Sequence, residues 1–173
     1  MKSGTFRHLQ RLRDKYGPGI FGKIAQRLLA LAFYDAGFNV VAERSVQGDD
    51  IAVANSVGEK YTLEVKTTDK KTILISKGNI DALKERASDG YIPLIAALRI
   101  QLFEDWVVAN IPLSQLRPGS LLLSRLRAYR MRQLEESICP AFEGVLNQHF
   151  SSVLSGDEQY LIKVLDERRG GSL

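Results

Sequence analysis

The stretch that most narrows what this chain can fold into is residues 48–66, two short alternating runs around a five-residue polar connection. Residues 51–54 read as one strand, 55–59 with Gly58 as the loop, and 60–66 as the return strand of a β-hairpin. On the return strand Tyr61, Leu63 and Val65 share one face and Thr62, Glu64 and Lys66 the other, because successive strand side chains point to opposite sides. With Ala54 opposite Lys60, Asp50 falls across from Glu64, and directly opposed Cβ atoms lie roughly 5 Å apart. Two carboxylates that close repel unless a cation sits between them, and oxygen donors of this kind suit Mg²⁺ or Mn²⁺. An acid and a lysine two apart on a strand are, by themselves, usually a solvated face. What shifts the reading here is Asp50 at the mouth of the apolar Ile51-Ala52-Val53-Ala54 run.

Around the hairpin the chain alternates helix and strand signals. Residues 5–16 form a basic helix with Phe6, Leu9 and Leu12 on one side, and Gly17-Pro18-Gly19 breaks it. Residues 20–36 carry the strongest helical pattern, with Ile24, Leu28, Leu31 and Ala32 in register, Leu29 and Phe33 widening the stripe, and Gly37 as C-cap. Strands are expected at 38–42, 73–75, 91–100 and 106–111; Ser76 caps a helix running to about residue 87. The near-continuous apolar character of 91–100 predicts a strand buried on both faces. Beyond it, helices are expected at 121–136 and 142–152 and a strand at 159–165. The whole reads as an α/β protein: a mixed central β-sheet flanked by helices, with a mainly helical C-terminal extension. The expected division is a basic N-terminal helix or arm (1–19), a core domain (20–116) and the extension (117–173), packed on the core or at a dimer interface.

Composition bounds the function classes. The chain has 45% hydrophobic and 25% charged residues, the proportions of an ordinary globular protein. Residues 1–47 hold eight Lys/Arg against three Asp/Glu, a surplus larger than the net +4 of the whole chain. That suits a polyanionic partner, and equally a solubilising surface helix. The single cysteine, Cys139, excludes an intrachain disulfide and a cysteine-based zinc site. His8 and His149 are too few for a histidine metal cluster. No secretory or membrane-spanning apolar run is present, so a cytoplasmic location is the default expectation.

Asp50 followed by Glu64-Val65-Lys66 resembles the Asp…(Asp/Glu)-x-Lys signature of the restriction-endonuclease-like, PD-(D/E)xK, nuclease superfamily. Over residues 21–106 the chain looks closest to its archaeal Holliday-junction-resolvase-like branch. Gly22 and the apolar run from Leu28 to Gly37-Phe38 fit that branch's first helix, with Gln26 where the family usually has Glu. Ile75-Ser76, Asn79-Ile80, Leu83 and Pro93-Leu94-Ile95-Ala96 are similar to its second helix and next strand. The resemblance implies an Mg²⁺- or Mn²⁺-dependent endodeoxyribonuclease hydrolysing phosphodiester bonds, with a structure-selective action on branched DNA. It implies that Asp50, Glu64 and the Val65 carbonyl hold the metal, and that Lys66 orients or deprotonates the attacking water. Gln26 would serve as a neutral ligand or water holder. DNA contacts are expected at Arg44, Ser45, Lys70 and Lys71, and junction cutting would require a homodimer with two sites. Gln26 keeps an alternative open: a non-catalytic nucleic-acid-binding or assembly module that retains the nuclease fold.

Overall fold

The computed structural model describes residues 1–43, 50–100, 104–156 and 159–170, with the backbone alone over 40–43. Its first element, α1 (Ser3–Asp35), is two helical segments meeting at Gly17 (φ 72°, ψ 167°). A positive φ costs glycine nothing, and Pro18, which has no N–H to donate, opens the second segment. The break therefore falls where Gly-Pro-Gly placed it. Residues 28–33 of α1, Leu-Leu-Ala-Leu-Ala-Phe, are buried on every side. A helix apolar all round needs partners all round, and α1 has them: the sheet on one flank and C-terminal helices on the other.

The strands are β1 (Asn39–Glu43), β2 (Ile51–Ala54), β3 (Lys60–Thr68), β4 (Thr72–Ile75), β5 (Ile92–Arg99), β6 (Val107–Ala109) and β7 (Gly119–Leu122). Five of them form one sheet in the order β1-β2-β3-β5-β6, and β4 pairs with β7 in a separate ribbon. β1, β2 and β3 are antiparallel neighbours, β5 runs parallel to β3, and β6 is antiparallel to β5. The parallel pair needs a crossover, which β4 and α2 (Lys77–Ser88) provide. The hairpin register is the expected one: Ala54 opposite Lys60, Val53 opposite Tyr61, Ile51 opposite Leu63.

Each face of the sheet carries its own apolar cluster. Leu63, Val65, Leu94, Ala96 and Leu98 join α1, α4 and α5. Ile95 and Ala97, pointing the other way on β5, join Ile80 and Leu83 of α2 and the residues of β4, β7 and α3 (Leu123–Arg127). That is why β5 lacks a polar face.

The C-terminal third departs from the sequence expectation. A single helix over 121–136 is replaced by β7, α3 and the start of α4 (Arg132–Ser155). α4 runs straight through Pro140 and takes in the helix expected at 142–152. The strand expected at 159–165 is a helix, α5 (Gln159–Gly170), which buries Leu161 and Leu165 one turn apart. The strand expected at 106–111 is trimmed to β6. Its outer edge is covered: Met131 N–H donates to the Val108 carbonyl, and Val108 N–H donates to Glu135 Oε1 at 2.8 Å. Glu135 is itself buried and paired with the Arg130 guanidinium at 2.6 Å. Among the described residues no helix is long and apolar enough to cross a membrane.

Candidate functional site

Alternation on β3 decides where the charged residues go. Leu63 and Val65 turn toward α1, so Glu64 and Lys66 turn to the opposite face. There the Glu64 carboxylate meets the N-terminus of α2, whose first turn is closed by a reciprocal cap: Asn79 N–H donates to Ser76 Oγ, and Ser76 N–H to Asn79 Oδ1. Glu64 is only 1% exposed. Lys66 Nζ lies 2.6 Å from its Oε1, while Oε2 is buried with no hydrogen-bond partner among the described residues. Burial, and then the negative charge of Asp50, push the Glu64 carboxyl up from its ordinary 4.5 to about 7; Lys66 and the Asn79 amide oppose the shift.

Asp50 stands at the same place by a different route from the one its spacing suggests. The β2–β3 ladder ends at Ile51–Leu63, so Asp50 is not a rung opposite Glu64. Its N–H donates instead to the Leu63 carbonyl at 3.0 Å, and its Oδ2 accepts the Val65 N–H at 2.6 Å. The carboxylate thus takes the position a strand neighbour would have occupied. It lies close enough to Glu64 for its charge to be felt there. The N–H and C=O of one strand residue lie on the same edge, so the Val65 carbonyl is directed to the Asp50 side as well.

Gln26, half-buried on α1, donates its Nε2–H to the Asp50 backbone carbonyl at 2.9 Å. The helix therefore reaches the site through Gln26, which fastens the main chain of Asp50. Asp50, Glu64, Lys66, Val65 and Gln26 are brought together. Among the described residues there is no group of three His, Cys, Asp or Glu positioned for a metal ion. Two carboxylates and a carbonyl remain, and the buried, unpaired Glu64 Oε2 is the donor that a hard cation would satisfy.

Lys70 and Lys71 are exposed in the β3–β4 turn, beyond the Lys66 end of β3, with Lys70 N–H held by Thr68 Oγ1. Arg44 and Ser45 lie outside the described residues. Sequence reasoning gave Asn79 no role at the site, although Ser76-x-x-Asn79 before an apolar pair is a capping signature that locates a helix N-terminus.

No protein-family model and no curated protein matches the chain. The architecture is nonetheless the restriction-endonuclease-like α/β fold. A solved structure that shares it is that of Archaeoglobus fulgidus Hjc, a Holliday junction resolvase from an archaeal hyperthermophile. The TM-score is 0.53 at 16% sequence identity, covering 66% of this chain and 95% of that one.

Proposed function

We propose that this protein is a divalent-metal-dependent DNA endonuclease, and that branched DNA, the substrate class named for the resolvase of like fold, is the first to test. The observation that carries the reading is a buried Glu64 carboxylate, paired with the Lys66 ammonium and close to the half-buried Asp50, with one Glu64 oxygen left unsatisfied. The Asp50 carboxylate, Glu64 Oε2 and the Val65 carbonyl would hold Mg²⁺ or Mn²⁺. Such an ion supplies charge neutralisation at the phosphate and at the departing alkoxide. Lys66, an ion-pair donor to Glu64, acts as an orienting and electrostatic group: it fixes the attacking water and stabilises negative charge growing on the phosphoryl oxygens. Asn79 and the Val65 N–H keep the two carboxylates aimed. Gln26 fixes the Asp50 backbone and adds no charge.

That last point favours a second reading, a DNA-binding module with the nuclease fold and no catalysis, since a two-acid site attracts a cation less than a three-acid site. Incubating the protein with duplex, single-stranded, flapped and four-way DNA in Mg²⁺, Mn²⁺ or EDTA separates the two. The nuclease reading expects cleavage that EDTA stops and that Asp50→Ala and Lys66→Ala abolish without loss of the fold. Tight DNA binding with no cleavage under any metal would establish the module instead. A symmetric dimer with two sites, as junction cutting requires, is part of the same proposal.

A further inference from the structure

A cleft of about 460 Å³ opens beside the Glu64–Lys66 face, between the bend of α1, the β3–β4 turn and β7. Its walls include Arg13 and Pro18 of α1, Asp69 and Lys70 of the turn, and Leu74 and Ser120, which face each other across the β4–β7 ribbon. The hydrolysis proposed above makes no use of it. Its chemistry is mixed in a particular way. Arg13 pairs with Asp69 Oδ2, but Asp69 Oδ1 is buried with no hydrogen-bond partner among the described residues. A buried carboxylate oxygen without a donor is unfavourable until one arrives. On the rim Pro18 is exposed and Leu74 is 70% exposed, so the mouth presents apolar surface. Two cations against one acid leave the cleft net positive.

Position gives this composition a meaning. Thr68, in the wall, follows Lys66 by two residues on β3 and shares its face, about 7 Å along the strand. A ligand there would be flat and partly apolar, would carry N–H donors on one edge, and would be tethered to a phosphodiester lying toward Lys66. A nucleobase meets that description. A base inside a duplex does not, because its faces are stacked and its N–H edge is paired, and entering a recess means leaving the helix. We infer that the cleft receives the base of an unpaired nucleotide adjoining the scissile phosphodiester. The substrate is then DNA with a single-stranded or extrahelical nucleotide beside the cut. This rests on the DNA-cleaving reading for its substrate class and goes beyond it in naming the unpaired base and its receptor.

The test is equilibrium binding in EDTA, so that cleavage plays no part. The probes are a blunt duplex and the same duplex with one unpaired 2-aminopurine nucleotide. Wild-type protein should bind the bulged duplex at least about tenfold more tightly, a ratio equivalent to about 1.4 kcal/mol, and should change the probe's fluorescence as the base leaves the stack. Ser120→Trp fills the cleft from an exposed strand position and should bring the ratio to within about twofold, while Ser120→Ala keeps it. Asp69→Ala, which removes the waiting acceptor, should lower the ratio even if the tryptophan variant misfolds. A wild-type protein that does not distinguish the two probes overturns the inference, and so does a preference that survives both Ser120→Trp and Asp69→Ala. Discrimination without any metal-dependent cleavage would sink the nuclease reading and leave the cleft assignment standing.

Discussion

Glu64→Gln is the substitution whose consequence is most fully determined by the geometry. The native carboxyl titrates near 7 and the ordinary one at 4.5, so between those values the folded protein binds more protons than the unfolded chain. Stability must then fall as pH rises through that window, and the full penalty is present above pH 7. A shift of this size corresponds to about 3 kcal/mol, of which about 2.5 kcal/mol develops between pH 5 and pH 8. Glutamine has nearly the same shape and no charge, so it carries none of this dependence. Any pH-independent effect of the substitution cancels when the two pH values are compared, and the Lys66 pair, which forms only with the ionised carboxylate, is already contained in the shifted pKa. The assay is urea unfolding of both proteins in EDTA at pH 5 and pH 8. The stability of the Gln variant relative to wild type should improve by about 2.5 kcal/mol on going to pH 8, or roughly 5–10 °C in Tm for a chain of this size. A difference that stays constant, or a variant that loses ground as pH rises, would refute the picture of a buried carboxylate held against its neighbour's charge.

Three further outcomes follow from single contacts. Gln26→Glu replaces the donor facing the Asp50 carbonyl with an oxygen. The variant should lose about 1–3 kcal/mol in EDTA and regain part of it with Mn²⁺, read as a thermal shift; an unchanged Tm would remove Gln26 from the site. Lys70→Ala and Lys71→Ala should each reduce the salt slope of DNA binding by about 1 if the side chain contacts a phosphate, and unchanged slopes would move the contact surface elsewhere. Glu135→Ala leaves the buried Val108 N–H without an acceptor and the partly exposed Arg130 without its partner, and should destabilise the protein by about 1–3 kcal/mol, measured by denaturation. A cost under about 1 kcal/mol would show that the sheet edge is held by something else.

What could be read from the sequence was what local periodicity controls. A five-residue loop set the hairpin register, and the Gly17-Pro18 break and the Ser76 cap are each made by the residues that signal them. β5 carried its double burial in its composition. Features decided by distant partners were hidden. Residues 119–122 become a strand only because β4 lies alongside, and nothing within Gly-Ser-Leu-Leu announces it. Tyr160, Ile162 and Val164 alternate as a strand would, yet Leu161 and Leu165 dock as one turn of helix; a run this short satisfies both periods. The gap expected between residues 136 and 142 is closed because Ile138, Phe142 and Val145 are buried on either side of Pro140 and keep α4 whole.

The site divides along the same line. The pairing of Glu64 with Lys66 followed from strand alternation alone. Asp50 reaches its place by stepping out of the ladder and bonding Val65 through its side chain, and Gln26 reaches it through a contact from α1. Both are tertiary arrangements that strand geometry does not encode, and the neutral pairing of Asp69 with Arg13 disguised the cleft in the same way.

Whether Asp50 and Glu64 hold one divalent cation, as proposed, is tested directly by a calorimetric Mn²⁺ titration in two buffers of different ionisation enthalpy. One ion should bind per chain, and Asp50→Asn and Glu64→Gln should each remove most of the affinity. Because Glu64 titrates near 7 and must be ionised to bind the metal, binding at pH 7 should release about half a proton and at pH 8.5 almost none. Absence of Mn²⁺ binding, or binding that both variants retain, would contradict the proposal.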